Sequence, residues 1–162
     1  IAAADEHRRP VVGGLAFAQK RIANGPCHSE RYVLLPTMYD WMEIDGELGF
    51  SPMPSYPLDE LVEVSGTGAA CLLIHRRALR KVREKHGDTW FDPLAHPTAL
   101  KGKPRTFSED LSFCVRLGNV DIPLYVDTRV KTVHHKGGLF LEEDLFLAQQ
   151  AAISESTSTS AA

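Results

Sequence analysis

Several things are scarce in this 162-residue sequence, and each shortage removes a class of function. Cysteine occurs three times, as Cys27, Cys71 and Cys114, widely spaced and with no C-x-x-C. That excludes a disulfide framework or a zinc ribbon and reads as free thiols in a reducing, cytoplasmic compartment. No apolar run is long enough to span a bilayer; the strongest, Gly68 to Ile74, is far too short. The opening residues Ile1 to Arg9 lack the basic-then-apolar order of a secretory signal. The formal net charge is only −3, with acids and bases interspersed, so nothing here suggests a nucleic-acid footprint. No internal repeat is visible. Length and an apolar content of 43% fit one globular domain, over residues 1–152, followed by a Ser/Thr/Ala tail over 153–162 that composition marks as disordered. The absence of an initiator Met leads us to expect a fragment or processed product.

The element pattern is α/β. Pro10 to Ala18 has the continuous apolar character of a strand buried on both faces, and Ile1 to Arg9 reads as the end of a helix. Gln19 to His28 reads as a loop and Arg31 to Leu35 as a strand. Asp45-Gly46 between apolar residues is a strong hairpin signal. Ser51 to Pro57, with three prolines, should be an extended surface loop. Leu61 to Val64 is a strand, Ser65-Gly-Thr-Gly-Ala69 a tight turn, and Ala70 to Ile74 a second buried strand. His75 to His86 is a basic amphipathic helix closed by Gly87. It is most simply a solvated face; an anionic membrane surface or an acidic partner is the alternative. Thr89 to Asp92 reads as a short β segment and His96 to Arg105 as a flexible loop.

The densest chemistry lies between Thr106 and Gly138. Ser108 is a residue type that caps helices, and Glu109 and Asp110 follow it. Leu111, Cys114 and Leu117 recur at near-helical spacing up to a stop at Gly118-Asn119. Ile122 to Val126 and Val130 to Val133 are β-rich, with Asp127-Thr-Arg129 as a turn between them, and the second run delivers His134 and His135. Phe140 to Ala152 is a capable helix. Carboxylates at a helix start and imidazoles at a strand end can meet in one cleft. Acids are also favoured at a helix N-terminus by the dipole alone, and two surface histidines at a strand end are ordinary.

The order Ser108-Glu-Asp-Leu-Ser-Phe-Cys-Val-Arg-Leu, then Ile122-Pro-Leu-Tyr-Val-Asp-Thr-Arg-Val, then His134, resembles the C-terminal half of a family 2 type glycosyltransferase with the GT-A fold. It is particularly similar to glycosyltransferases encoded by bacteriophages, over roughly residues 10–145. The resemblance implies a mixed sheet flanked by helices and transfer of one sugar from a nucleotide-sugar to an acceptor hydroxyl. It makes Asp110 the general base, with Glu109 positioning it or bonding the acceptor. It makes His134 a ligand of Mn²⁺ or Mg²⁺. Gly66, Thr67 and Gly68 would line the acceptor side of the cleft, and Trp41 and His135 are further substrate-binding candidates. Lys101, Lys103 and Arg105 would neutralise the donor diphosphate. Tyr39, Trp41, Phe50 and Tyr56 also suit stacking on a sugar ring, though pinning the hairpin to the domain is the simpler role of each.

The family's Asp-x-Asp motif occurs nowhere here, so we expect the nucleotide-binding half to lie outside this chain and the chain alone to bind metal poorly. The absent Gln-x-x-Arg-Trp motif argues for single transfer over processive synthesis, and an acidic base carries an inverting expectation. The acceptor (protein, modified DNA base or small molecule), the donor sugar and any oligomeric state stay open. For a phage-encoded enzyme the site of action would be the host cytoplasm. Two rivals remain. One is a non-catalytic carbohydrate-binding or structural fragment of a larger assembly. The other is a metal-dependent hydrolase using Glu109, Asp110, His134 and His135, which lacks a known ligand spacing such as H-E-x-x-H.

Overall fold

The apolar run after Pro10 becomes the centre of a sheet, as continuous hydrophobicity requires. The structure, a computed structural model, describes residues 3–23, 30–44, 46–97 and 104–159. Cys27, Asp45, Lys101 and Lys103 therefore lie outside the described residues. Strand β1 (Val11–Leu15) is buried along its whole length. It leads into β2 (Phe17–Ala23), which pairs antiparallel with β3 (Glu30–Pro36) from Phe17↔Pro36 to Ala23↔Glu30. The polar stretch from Gln19 to Ala23 is thus strand, not loop. Its polar residues suit a hairpin only partly covered by protein.

Next come β4 (Met38–Ile44) and β5 (Glu47–Pro52), a hairpin in the expected place with Trp41 opposite Phe50. Then follow β6 (Leu61–Val64), β7 (Gly66–Thr67), β8 (Leu72–Ile74) and helix α1 (Arg76–His86). The chain continues through α2 (Glu109–Gly118), β9 (Leu124–Lys131), β10 (His134–Lys136), β11 (Leu139–Leu141) and α3 (Glu143–Thr159).

The main sheet is mixed, in the order β6-β9-β1-β8, with β1 and β9 parallel and both outer strands antiparallel to their neighbours. Phe113 and Leu117 of α2 and Ala78 and Val82 of α1 pack with Val11, Leu15 and Val126 of this sheet into one core. The three-stranded sheet β5-β4-β7 lies beside it, and β7 touches α2. The Gln149 side-chain amide bonds both backbone groups of Leu34, accepting from its N–H at 2.9 Å and donating to its carbonyl at 3.2 Å. An edge strand is thereby covered by a helix side chain in place of another strand.

Several local expectations change. The N-terminal segment is a turn held by the Asp5 carboxylate, which accepts from the His7 and Arg8 amides, and not a helix end. Ser65–Ala69 is not simply a turn: Gly66 and Thr67 pair with Tyr39 and Met38. Strand β8 is an edge, and Leu73 is 43% exposed, because apolar character does not tell a strand which neighbours it will have. Thr89 to Asp92 is a turn.

Asp127-Thr-Arg129 lies within β9, at a register shift against β1 where Gly14 pairs with Asp127 and Leu15 with Lys131. On the β6 side, the buried Thr128 hydroxyl accepts from the Glu60 amide at 2.8 Å and bridges to the Pro57 and Glu60 carbonyls at 3.0 Å. Phe140 and Leu141 belong to β11, so α3 starts later than the pattern implies. It also continues through Thr159, across residues whose composition reads as a disordered tail. No helix among the described residues is long and apolar enough to cross a membrane.

Candidate functional site

Helix α2 begins where the sequence places it, but Ser108 does not cap it with its side chain. Its backbone is extended, at φ −61° and ψ 167°, and its hydroxyl donates to Asp110 Oδ1 instead. The same oxygen accepts from the Leu111 amide at 2.8 Å. Asp110 Oδ1 is therefore doubly committed, while Oδ2 has no hydrogen-bond partner among the described residues. Asp110 is half-buried and Glu109 exposed. Tyr39 faces this carboxylate: burial, then the charges of Asp110 and Cys114, push its phenol above the usual range. The Cys114 thiol, one turn further along, is pushed up to about 11, first by burial and also by Asp110.

The opposite side of α2 carries buried polar groups that hold a loop. Ser112 Oγ accepts from the Leu94 amide at 2.9 Å and donates to the Phe107 carbonyl at 3.4 Å. Arg116, one turn on, donates through Nη1 to the Trp90 and Asp92 carbonyls at 3.2 and 2.7 Å. Phe91 stacks on Phe113 with centroids 4.6 Å apart. Trp90 Nε1 donates to the Leu79 carbonyl at 3.0 Å, tying the same loop to α1. The two arms then pair with each other, His96 donating to Arg105 and Phe107 to Leu94, both at 2.9 Å. The ends of the stretch expected to be a flexible loop are thus fastened down.

Between this loop and the β4–β5 hairpin stands an aromatic wall. Trp41 and Phe107 both meet Phe50, at centroid distances of 4.9 and 5.7 Å and near-perpendicular planes, and His96 lies 4.5 Å from Phe107. Gly66 allows the wall to close: a Cβ there would sit 2.7 Å from the Phe50 ring and 3.1 Å from Leu111. Phe50 lines three clefts. The first, of about 660 Å³, includes Ser51, His96, Arg105 and Ser108 and opens at the start of α2. The second, of about 400 Å³, lies along the later turns of α2 and is lined by Trp41, Glu63, Ser65, Cys114 and Asn119. The third, of about 440 Å³, takes in Tyr39, Lys20 and Arg21.

The fold thus gathers the acid pair, Gly66, Thr67, Trp41 and Arg105 around one end of α2. Thr67 supports the site from within, since its hydroxyl donates to the Thr37 carbonyl at 2.8 Å and its amide to Cys114 Sγ at 3.5 Å. Gly68 packs against Thr37. His134 and His135 stand apart on the β10–β11 hairpin, whose turn uses Gly137 and Gly138 at φ 59° and 82°. His134 Nδ1 lies 3.4 Å from the Phe17 carbonyl, and the His135 ring packs on Phe140. No hydrogen bond or ion pair among the described residues joins either histidine to the acid pair, and neither histidine lines the three clefts. Among the described residues no group of three or more His, Cys, Asp and Glu side chains is placed to hold a metal ion.

Sequence reasoning passed over Ser112 and Arg116. The only local trace was their spacing, two polar residues four apart on the helix that also carries the apolar stripe, and that spacing does not say that they are buried. Tyr39 and Phe107 left no local sign of their role. No family model, no curated protein and no solved structure matches this chain.

Proposed function

We propose that the chain forms the acceptor side of a glycosyltransferase of GT-A type, moving one sugar from a nucleotide-sugar to an acceptor hydroxyl. The observation that carries this reading is the presentation of Asp110. One carboxylate oxygen is fixed by Ser108 and Leu111, two residues that line the cleft at the start of α2, and the other has no hydrogen-bond partner among the described residues. A general base needs that combination of fixed orientation and a vacant lone pair. The parallel β1–β9 pair within a mixed sheet is compatible with the same fold.

In the reaction, Asp110 Oδ2 takes the proton of the acceptor hydroxyl as that oxygen attacks the anomeric carbon. The bond from the anomeric carbon to the diphosphate oxygen breaks, and the electron pair leaves with the diphosphate. Attack opposite the leaving group inverts the anomeric centre. The Arg105 guanidinium, at the larger cleft, is the cation offered to the departing charge. A single imidazole, His134, does not make a metal site on its own, so no step is assigned to a metal.

The test is release of nucleoside diphosphate by the native protein that carries this chain, from a panel of nucleotide-hexoses with Mn²⁺ and candidate acceptors, wild type against Asp110→Asn. A wild-type rate that falls at least 10²-fold in the variant, in the range expected for loss of a general base, supports the proposal. No rate, or equal rates, ends it.

A second reading rests on a different feature. Trp41 is 40% exposed, stands edge-on to Phe50 and lines the 400 Å³ cleft together with Glu63, Ser65 and Asn119. An apolar ring with a polar rim suits a sugar without any chemistry. Saccharide binding that needs neither Mn²⁺ nor nucleotide and is lost in Trp41→Ala, with no transfer detected, would favour it.

A further inference from the structure

The whole-chain charge of −3 conceals a strong segregation. Of 18 Lys and Arg and 21 Asp and Glu, six and one lie within residues 76–86, leaving twelve and twenty elsewhere. Helix α1 therefore carries +5 and the remainder of the chain −8. A merely solvated helix commonly interleaves its cations with acids three or four residues away, which offset them. Here Glu84 is the single acid, and among the described residues only Arg83 is neutralised, by Asp88 at 2.7 Å. Arg76, Arg80 and Lys81 make no ion pair or side-chain hydrogen bond with a described residue, and Arg77 meets only His7, at 2.9 Å. Arg76, Arg77 and Arg80 are exposed. The patch has ends: Glu6 beside His75 at one, Asp88 at the other.

We propose that α1 is a docking ridge for the phosphate backbone of a nucleic acid. The helix is about 16 Å long and offers guanidinium and ammonium groups along its solvent side, the chemistry that phosphates recruit. The same geometry argues against an anionic membrane. Ala78 and Val82 are fully buried in the core, leaving no apolar stripe to enter a bilayer. An extended anionic plane would also confront the −8 on the rest of the chain, whereas a rod can touch the ridge alone. Phosphate contacts of this kind carry no sequence information, so binding is non-specific. The proposal does not depend on the transfer reaction, since α1 meets α2 at the far end from the acids, where Lys85 Nζ donates to the Asn119 carbonyl.

The experiment is fluorescence anisotropy with a labelled mixed-sequence DNA duplex between about 50 and 200 mM salt, the range in which such contacts weaken measurably. With about three to four phosphates engaged, the logarithmic salt slope is expected at about −2.7 to −3.6, a loss on the order of 10²-fold across that range. Arg76→Glu combined with Arg80→Glu should weaken binding at least tenfold at low salt, while Arg76→Lys with Arg80→Lys retains it. Far-UV circular dichroism and the melting temperature check that both variants are folded. Flotation with phosphatidylserine vesicles is the comparison arm. Duplex binding with this slope and this dependence on charge supports the ridge. Binding to vesicles alone, no duplex binding at 50 mM salt, or equal binding by the charge-reversed variant overturns it.

Discussion

Helices α1 and α2 are neighbours of nearly equal length, and they use their polar residues in opposite ways. In α1 the polar residues face outward: six cations surround a thin buried stripe of Ala78 and Val82. In α2 they face inward as well: Ser112 and Arg116 are buried alongside Phe113, Cys114 and Leu117. The difference is one of satisfied hydrogen bonds. Burying a charge is costly unless partners await it, and Arg116 Nη1 has the Trp90 and Asp92 carbonyls, while its Nε is buried without a partner among the described residues. Helix α1 has no such loop beneath its cations, so they stay in water. One helix is therefore a structural hub and the other a surface.

Breaking the hub should produce the larger effect. Arg116→Ala removes two charge-assisted hydrogen bonds and strands two carbonyls under the loop. Chemical denaturation should show a loss of about 2–3 kcal/mol, and limited proteolysis should cut first between residues 90 and 107. A variant as stable and as resistant as wild type would mean that Phe91, Trp90, Ser112 and the backbone pairing of the arms hold the loop without Arg116. The matching substitution on the surface helix, Arg80→Ala, should change stability by no more than about 0.5 kcal/mol. A loss as large as that of Arg116→Ala would erase the distinction between the two helices.

How far the sequence revealed this arrangement depended on how local each signal was. Both helices were legible because their caps and periodicity lie within a dozen residues; Gly87 and Asn119 end them where expected. The hairpin signal around Gly46 likewise marked the connection between β4 and β5. Asp127-Thr-Arg129 misled because its residues favour turns in isolation. Only the distant Pro57 and Glu60 backbone, which Thr128 serves, explains their place in a strand. The site followed the same rule. The acid pair could be read directly, but whether His134 joins it was a question of tertiary placement that spacing could not answer. Arg116 was hidden in plain view, since a buried arginine is recognisable only once the carbonyls it serves are known.

The two helices meet at His86, and the smallest effect should arise there. His86 closes α1 and its Nε2 is buried without a hydrogen-bond partner. Burial, then the charges of Arg116 and Lys85, hold its imidazole below the usual histidine range. The unfolded chain therefore binds a proton at a higher pH than the folded one, and stability rises with pH wherever that is so. The contribution of neutral His86 is complete above about pH 6.5 and declines as pH falls from there toward the lowered folded value. His86→Gln should remove this dependence, leaving a flatter stability profile between about pH 5 and 7 while the wild type slopes downward in acid. Arg116→Ala should flatten part of the same slope, because it withdraws one of the two cations that oppose protonation. If the wild-type profile is already flat in that window, the imidazole is not held neutral, and the helices meet through packing and the Lys85–Asn119 contact without electrostatic coupling.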